Sequence, residues 1–243
     1  MLVSVLASGS KGNCTLVKTD KLNILIDAGM TLKYIGENLS KFNLTPKDIN
    51  YIFITHTHKD HIGGLKSVLK KKPVVYTMAD LGNLISYDMI NKERRFSIGN
   101  TSVKLFDLSH DSYCCGMIIS DGDKELVYIT DTGYINKNIL EDIVNKDIYI
   151  MESNHDVDML RHSSKPFYLQ MRILSDEGHL SNEQALTYLK GLVGYRTKYV
   201  ILAHLSLENN DSKLVYDIMR GGLDDNIEVL VAKQFEALEE VVI

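Results

Sequence analysis

Thr55-His56-Thr57-His58-Lys59-Asp60-His61 places three imidazoles and a carboxylate within seven residues. The run follows the apolar stretch Tyr51-Ile52-Phe53-Ile54 and precedes Gly63-Gly64 and an amphipathic stretch. It reads as a strand end opening into a loop. A rigid strand followed by a loop lets several side chains converge on one point, which is what a metal ion requires. His and Asp together suit Zn, Mn or Fe. The rest of the chain is therefore searched for further His and Asp at the ends of apolar runs.

Three such positions follow. His110 lies in Leu108-Ser109-His110-Asp111, after an expected strand over 101–108. Asp131 lies in Thr130-Asp131-Thr132-Gly133, after the apolar run Leu126–Ile129. His204 lies in Leu202-Ala203-His204-Leu205-Ser206, after Tyr199-Val200-Ile201. With His56, His58, Asp60 and His61 they make a set of donors of about the size a pair of metal ions takes from a protein. Each ends an apolar run, so all could sit along one edge of the sheets.

The apolar share of 44% supports a sizeable core in a chain of 243 residues. Strands are expected over 2–6, 14–18, 23–27, 51–54, 73–76, 101–108, 115–120, 125–130, 147–151, 199–203 and 227–231. Helices are expected over 31–42, 62–71, 79–90, 136–144, 181–192 and 210–220. Ser181 and Gln184 form a capping box at one helix start, and Asp121-Gly122-Asp123 a hairpin turn. In each half strands come first and helices then interleave. The expectation is an α+β chain with two mixed sheets face to face and helices outside, one domain over 1–243 with two pseudo-symmetric halves and a break near residue 121.

The net charge of −5 argues against a bulk nucleic-acid binder. It leaves room for local basic faces at Lys66, Lys70, Lys71 and Lys72, or at Lys92, Arg94 and Arg95. No apolar run approaches the roughly 20 residues that cross a bilayer, and Met1–Ala7 reads as a first strand rather than a signal segment. Cys14, Cys114 and Cys115 are an odd set that makes no disulfide framework. A cytoplasmic protein with buried, reduced thiols and no membrane association is expected.

The pattern resembles the metallo-β-lactamase superfamily across nearly the whole chain. That resemblance implies a four-layer αββα sandwich. It implies His56, His58 and His110 on one metal, Asp60, His61 and His204 on the other, and Asp131 bridging them. Asp27 in Ile26-Asp27-Ala28-Gly29 matches the superfamily's early Asp, which orients ligand imidazoles. Sequences resembling true zinc β-lactamases commonly carry Cys where Asp131 stands, so antibiotic hydrolysis is not expected. Ser8-Gly9-Ser10-Lys11-Gly12-Asn13, Glu152-Ser153-Asn154-His155-Asp156, Gly178-His179-Leu180-Ser181-Asn182 and Ala203-His204-Leu205-Ser206 with Asn209 are similar to the YycJ/WalJ-type subgroup. The subgroup implies 5′→3′ exonuclease action on DNA. Glu152 and His179 are also similar to a Glu and His pair of tRNase Z enzymes. The chain lacks an obvious Gly/Pro-rich arm for tRNA, and is too short for the cap domain of β-CASP nucleases.

The chemistry expected from this set is hydrolysis with two divalent ions, Zn first, Mn or Fe as alternatives. Asp60 steers the attacking water or takes its proton. His179 protonates the leaving alkoxide, with Glu152 raising its basicity. Asn13 and the Gly9/Gly12 turn are expected to approach phosphate through backbone N–H groups. His155 and Asn182 are expected in the pocket or just behind it. A nucleic-acid substrate, DNA before RNA, is the leading reading. A small-molecule hydrolase, such as a glyoxalase-II-like thioesterase or a cyclic phosphodiesterase, shares the ligand set and stays open, as does the oligomeric state.

Overall fold

Strand alternation in this chain has an unusual form: both alternating sets are apolar. Ile148 and Ile150 face one way while Tyr149 and Met151 face the other, and all four are fully buried. Such strands belong in a sheet covered on both sides. The computed structural model describes residues 1–82, 90–91 and 94–243, and among them are two seven-stranded sheets. The first contains β1 (Leu2–Ala7), β2 (Cys14–Lys18), β3 (Asn23–Ile26), β4 (Tyr51–Phe53), β5 (Val74–Tyr76) and β6 (Ile90–Asn91). β14 (Val241–Val242) returns to the β1 edge. The second contains β7 (Arg95–Ile98), β8 (Thr101–Leu108), β9 (Cys114–Asp121), β10 (Lys124–Ile129), β11 (Ile148–Glu152), β12 (Tyr199–Ala203) and β13 (Glu228–Val231). Each sheet starts as an antiparallel meander and continues as parallel strands, from β3 in one and β10 in the other.

Three apolar clusters define the layers. One joins the facing surfaces of the sheets, with Val5, Ile24, Ile26 and Phe53 from the first against Met117, Tyr128, Ile150 and Ile201 from the second. A second lies between the outer face of sheet two and α4 (Lys137–Ile143), α7 (Asn182–Leu192) and α8 (Ser212–Gly222), through Ile139, Ala185, Leu189, Val215 and Met219. A third lies between the outer face of sheet one and α1 (Leu32–Leu39), α2 (Lys59–Ile62) and α3 (Leu65–Val68), through Ile35, Leu39, Leu65 and Val68. Helices, two sheets and helices again make the four layers expected of an αββα fold.

Some expectations change. The chain moves from one sheet to the other between Asn91 and Arg95, not near residue 121. Asp121 pairs with Lys124 in the β9–β10 hairpin, and a turn that tight joins neighbours of one sheet. The helix expected over 62–71 is broken into α2, α3 and a 3-10 turn at Leu69–Lys71. The first break falls at Gly63-Gly64. The helix expected over 79–90 lies largely outside the described residues. Short elements without a clear period were not anticipated: β6, β7, β14, α5 (Val157–Arg161) and α6 (Phe167–Ile173).

The loops after β3 and β4 are laced together by backbone. Ala28 N donates to His61 O at 2.8 Å, Gly64 N to Ala28 O at 2.8 Å, and Asn13 N to Asp60 O at 2.7 Å. A Cβ on Gly64 would stand 1.7 Å from Met30 O, which no side-chain rotation relieves. Gly64→Ala is expected to cost about 3 kcal/mol in urea unfolding. Gly191→Ala, in α7 with nothing within 4 Å of its new Cβ, is expected to stabilise by about 0.5 kcal/mol or more. Equal stabilities of the two variants would contradict this packing.

Candidate metal centre

The sheets deliver the candidate side chains along one edge. Asp27 follows β3, residues 55–61 follow β4, His110 follows β8, Asp131 follows β10, Glu152 ends β11 and His204 follows β12. Asp27, Asp131 and His204 hold φ values of 61°, 60° and 56°. In this left-handed conformation the chain turns sharply as it leaves the strand; Asp and His tolerate it better than most residues. The seven expected ligands converge. Donor atoms within 4.8 Å of one another form the groups His56/His58/His110, Asp60/His61/His204 and His56/His61/Asp131, with Asp131/Glu152/His179/His204 beside them.

Each imidazole is held by its outer nitrogen. His61 Nδ1 donates to Asp27 Oδ2 at 2.6 Å. Thr55 Oγ1 donates to the same carboxylate at 2.9 Å and receives His56 Nδ1 at 3.1 Å. His204 Nδ1 donates to Glu152 Oε1 at 2.9 Å. His110 Nδ1 faces Gly178 O at 3.3 Å. For these four, Nε2 is the lone pair turned inward. His58 is reversed: Nε2 faces Asp111 Oδ1 at 3.2 Å and Nδ1 points inward, 3.3 Å from His110 Nε2. A second partner that fixes tautomer and ring direction is the usual companion of a metal-bound histidine.

The inward atoms fit a cation. His56 Nε2, His204 Nε2 and Asp131 Oδ2 are buried without a hydrogen-bond partner. His61 Nε2 stands 3.2 Å from Asp131 Oδ2, and His204 Nε2 3.4 Å from Asp131 Oδ1, close but not aligned for hydrogen bonding. Lone pairs crowded at this distance need positive charge between them. The electrostatics agree. Burial disfavours imidazolium at His204, yet Asp131, Asp60 and Glu152 outweigh it and push that ring up to about 10. Burial likewise opposes charge on His61, and Asp131 and Asp27 still raise it well above its ordinary value. His56, by contrast, is pushed down to about 2 by burial and the neighbouring His61. The carboxylates thus ask for cationic charge that a divalent ion supplies without protonating the ligands.

Glu152 is no solvated strand end. It is fully buried, and its oxygens accept from Asp131 N (3.2 Å), Thr132 N (3.1 Å), Leu180 N (3.0 Å), His179 Nδ1 (2.8 Å) and His204 Nδ1. Burial works to raise its pKa, but the charge and hydrogen bond of His179, with help from His204, hold it at about 2. His179 is partly exposed. A cleft of about 600 Å³ opens past His110 and Asp111 towards Tyr113 and Tyr134.

Other candidates serve differently from expectation. In the Ser8–Asn13 turn the N–H groups of Gly9, Lys11, Gly12 and Asn13 are already taken and are not offered to phosphate. Gly9 N is bound to Asn13 Oδ1, Lys11 N to Gln234 Oε1, Gly12 N to Gly9 O and Asn13 N to Asp60 O. Asn13 instead braces the centre, its Nδ2 lying 2.9 Å from His61 Nε2 and 3.2 Å from Asp60 Oδ2. Asn182 is locked behind the site, accepting from Ser153 Oγ and donating to Asn210 Oδ1. His155 is buried with both ring nitrogens unpartnered, and burial lowers it to about 4. Thr55, Asp111 and Arg172 were not singled out in the sequence. Thr55 and Asp111 each adjoin a candidate histidine, and that adjacency was the available signal. Cys14, Cys114 and Cys115 are free and buried.

Comparison with known proteins identifies the family. The sequence model of the beta-lactamase superfamily domain matches residues 22–205. The chain belongs to the metallo-β-lactamase superfamily. Within the superfamily it falls in the YycJ/WalJ-type subgroup. It is 36% identical over 230 residues to a Streptococcus pneumoniae protein named exodeoxyribonuclease WalJ, covering 89% of this chain and 86% of that one. It is also 36% identical over 223 residues to Bacillus anthracis exodeoxyribonuclease YycJ, covering 87% and 84%. The superfamily fold recurs in the Bacillus subtilis metallo-β-lactamase fold protein YhfI, with TM-score 0.75, 17% identity and 99% of both chains covered. It recurs in the short form of human tRNase Z, with TM-score 0.65, 18% identity and 98% and 99% covered. Among the described residues no helix is long and apolar enough to cross a membrane.

Stability should track occupancy. Stripping divalent ions with a chelator is expected to lower Tm by several degrees, and adding Zn or Mn back to restore it, as mass action requires of a ligand that binds only the folded chain. A Tm indifferent to both treatments would argue that the cluster holds no ion.

Proposed function

We propose that this metal-dependent hydrolase is a two-metal phosphodiesterase acting on nucleic acid, with 5′→3′ action on DNA as the specific form. His56, His58 and His110 would hold one ion, Asp60, His61 and His204 the other, and Asp131 would lie between them. Zn is the first candidate; Mn and Fe suit the same donors. Bound there, divalent cations supply Lewis-acid charge for a phosphoryl oxygen and make water easier to deprotonate.

The observation that carries the reading is the Glu152 clamp, which holds His179 and His204 on one carboxylate oxygen at 2.8 and 2.9 Å. It fixes an imidazole beside the centre by its Nδ1 and leaves Nε2 for a substrate. That is the arrangement of a general acid. An alkoxide leaving from a phosphodiester needs such a proton, whereas a thiolate leaves without one, so the dyad favours a phosphodiester over a thioester. His179 gives its Nε2 proton to the leaving oxygen, and Glu152 holds the ring in place through Nδ1. Asp60, steadied by Asn13, accepts a hydrogen bond from the attacking water and orients it. The names carried by the S. pneumoniae and B. anthracis relatives support DNA as the polymer.

The test compares 5′-labelled double-stranded DNA, single-stranded RNA and a thioester, each with Zn and with Mn. Mononucleotides released from the DNA 5′ end are expected, and thioester turnover without any from nucleic acid would overturn the proposal. His179→Ala is expected to lower phosphodiester turnover by about 10²–10⁴-fold with metal content intact. Undiminished turnover would remove His179 as the acid. Asp131→Asn is expected to lose one or both ions by elemental analysis, and retention of two tightly held ions would contradict its place between them.

A further inference from the structure

Helix α6 presents the wrong side to water. Phe167 and Tyr168 are each 75% exposed and Met171 49%. Arg172 shares that side and is more than half exposed. At about 100° per residue these four span about 140° of the helix surface. Ile173 packs inward, so α6 has an ordinary inner face, and the outer aromatics are not there for the core. A contiguous exposed aromatic patch of this kind is often functional.

The shelf is tied to the candidate centre at two points. Ile173 O accepts from His179 N at 3.0 Å. Arg172 Nη1 reaches Asp111 Oδ2 at 2.6 Å, and the other oxygen of Asp111 faces His58 Nε2 at 3.2 Å. The α5–α6 segment carries three cations, Arg161, Lys165 and Arg172, but Lys165 is paired with Glu208 and Arg172 with Asp111, so the exposed rings rather than free charge mark this surface. Exposed rings on a helix that is hydrogen-bonded to His179 suit a ligand with flat faces. A second copy of the chain suits them less. The exposed apolar surface of these three side chains is on the order of 400 Å², about half of what one partner gives to a stable interface.

We infer that Phe167 and Tyr168 form a stacking platform for the nucleobase next to the scissile phosphate, on the leaving-group side that His179 serves. The inference rests on the nucleic-acid reading above and adds to it how the strand end is gripped. Stacking is indifferent to base identity, so the platform confers hold without sequence preference.

Phe167→Ala/Tyr168→Ala tests it, since both side chains are solvent-exposed and the fold does not depend on them. With metal content and Tm unchanged, the double variant is expected to raise KM for a DNA oligonucleotide about ten- to a hundred-fold, with kcat moving less. An abasic nucleotide on the leaving-group side is expected to raise KM equally for the wild-type protein and to add nothing in the double variant. An unchanged KM in a variant that still hydrolyses DNA overturns the platform alone. A wild-type protein that neither binds nor hydrolyses oligonucleotides overturns the nucleic-acid reading and the platform with it. Conversion of a dimer to a monomer by the double variant in sedimentation would make the shelf a self-interface and overturn the inference.

Discussion

Asp27 is wholly removed from water, and burial pushes its carboxyl up while His61 and Thr55 pull against it. Such a group is tolerable only when its lone pairs are claimed. Thr55 N, Thr55 Oγ1 and His61 Nδ1 claim them at 2.6–2.9 Å. Through Thr55 the same carboxylate also fixes His56. One buried anion behind the centre therefore sets the direction of two imidazoles in front of it, and Glu152 does the same for His204 and His179 from the other sheet. Each half of the sandwich contributes one buried carboxylate with an imidazole pair.

That arrangement explains how an acidic chain can have a cation-seeking and anion-accepting centre. Exposed charges more than about 8–10 Å away are screened by salt, whereas charges inside the cleft are not. The four inner carboxylates, Asp27, Asp60, Asp131 and Glu152, set a demand for positive charge that two dications, if bound, would just balance.

Much of this was legible in the sequence because the sheets announce themselves. The doubly apolar strand expected over 199–203 has those bounds and the one expected over 147–151 runs one residue later, over 148–152, and the candidate ligands stood at such strand ends. What the sequence hid is what the third dimension adds. Asn13 looked like part of a phosphate loop, but its N–H is taken by Asp60 O, a partner 47 positions away in the sequence. Residue 121 looked like a seam, yet it turns within one sheet, because a tight turn between strands says nothing about which sheet they join. Helices α5 and α6 have five and seven residues, too short for a hydrophobic period to show, and α6 places aromatics outward against the usual pattern.

The left-handed backbone at Asp27, Asp131 and His204 has a consequence for variation in this protein. These positions are filtered twice, once for what the side chain does and once for whether its Cβ tolerates the torsion. A branched residue there carries roughly 1–2 kcal/mol of steric penalty before any chemistry is lost, whereas Asn or Gly carries little. His56 and His110 are free of that second filter. The alphabet tolerated at the three turning points is correspondingly narrower, and an inactive variant at one of them reports on torsion as well as on side-chain chemistry.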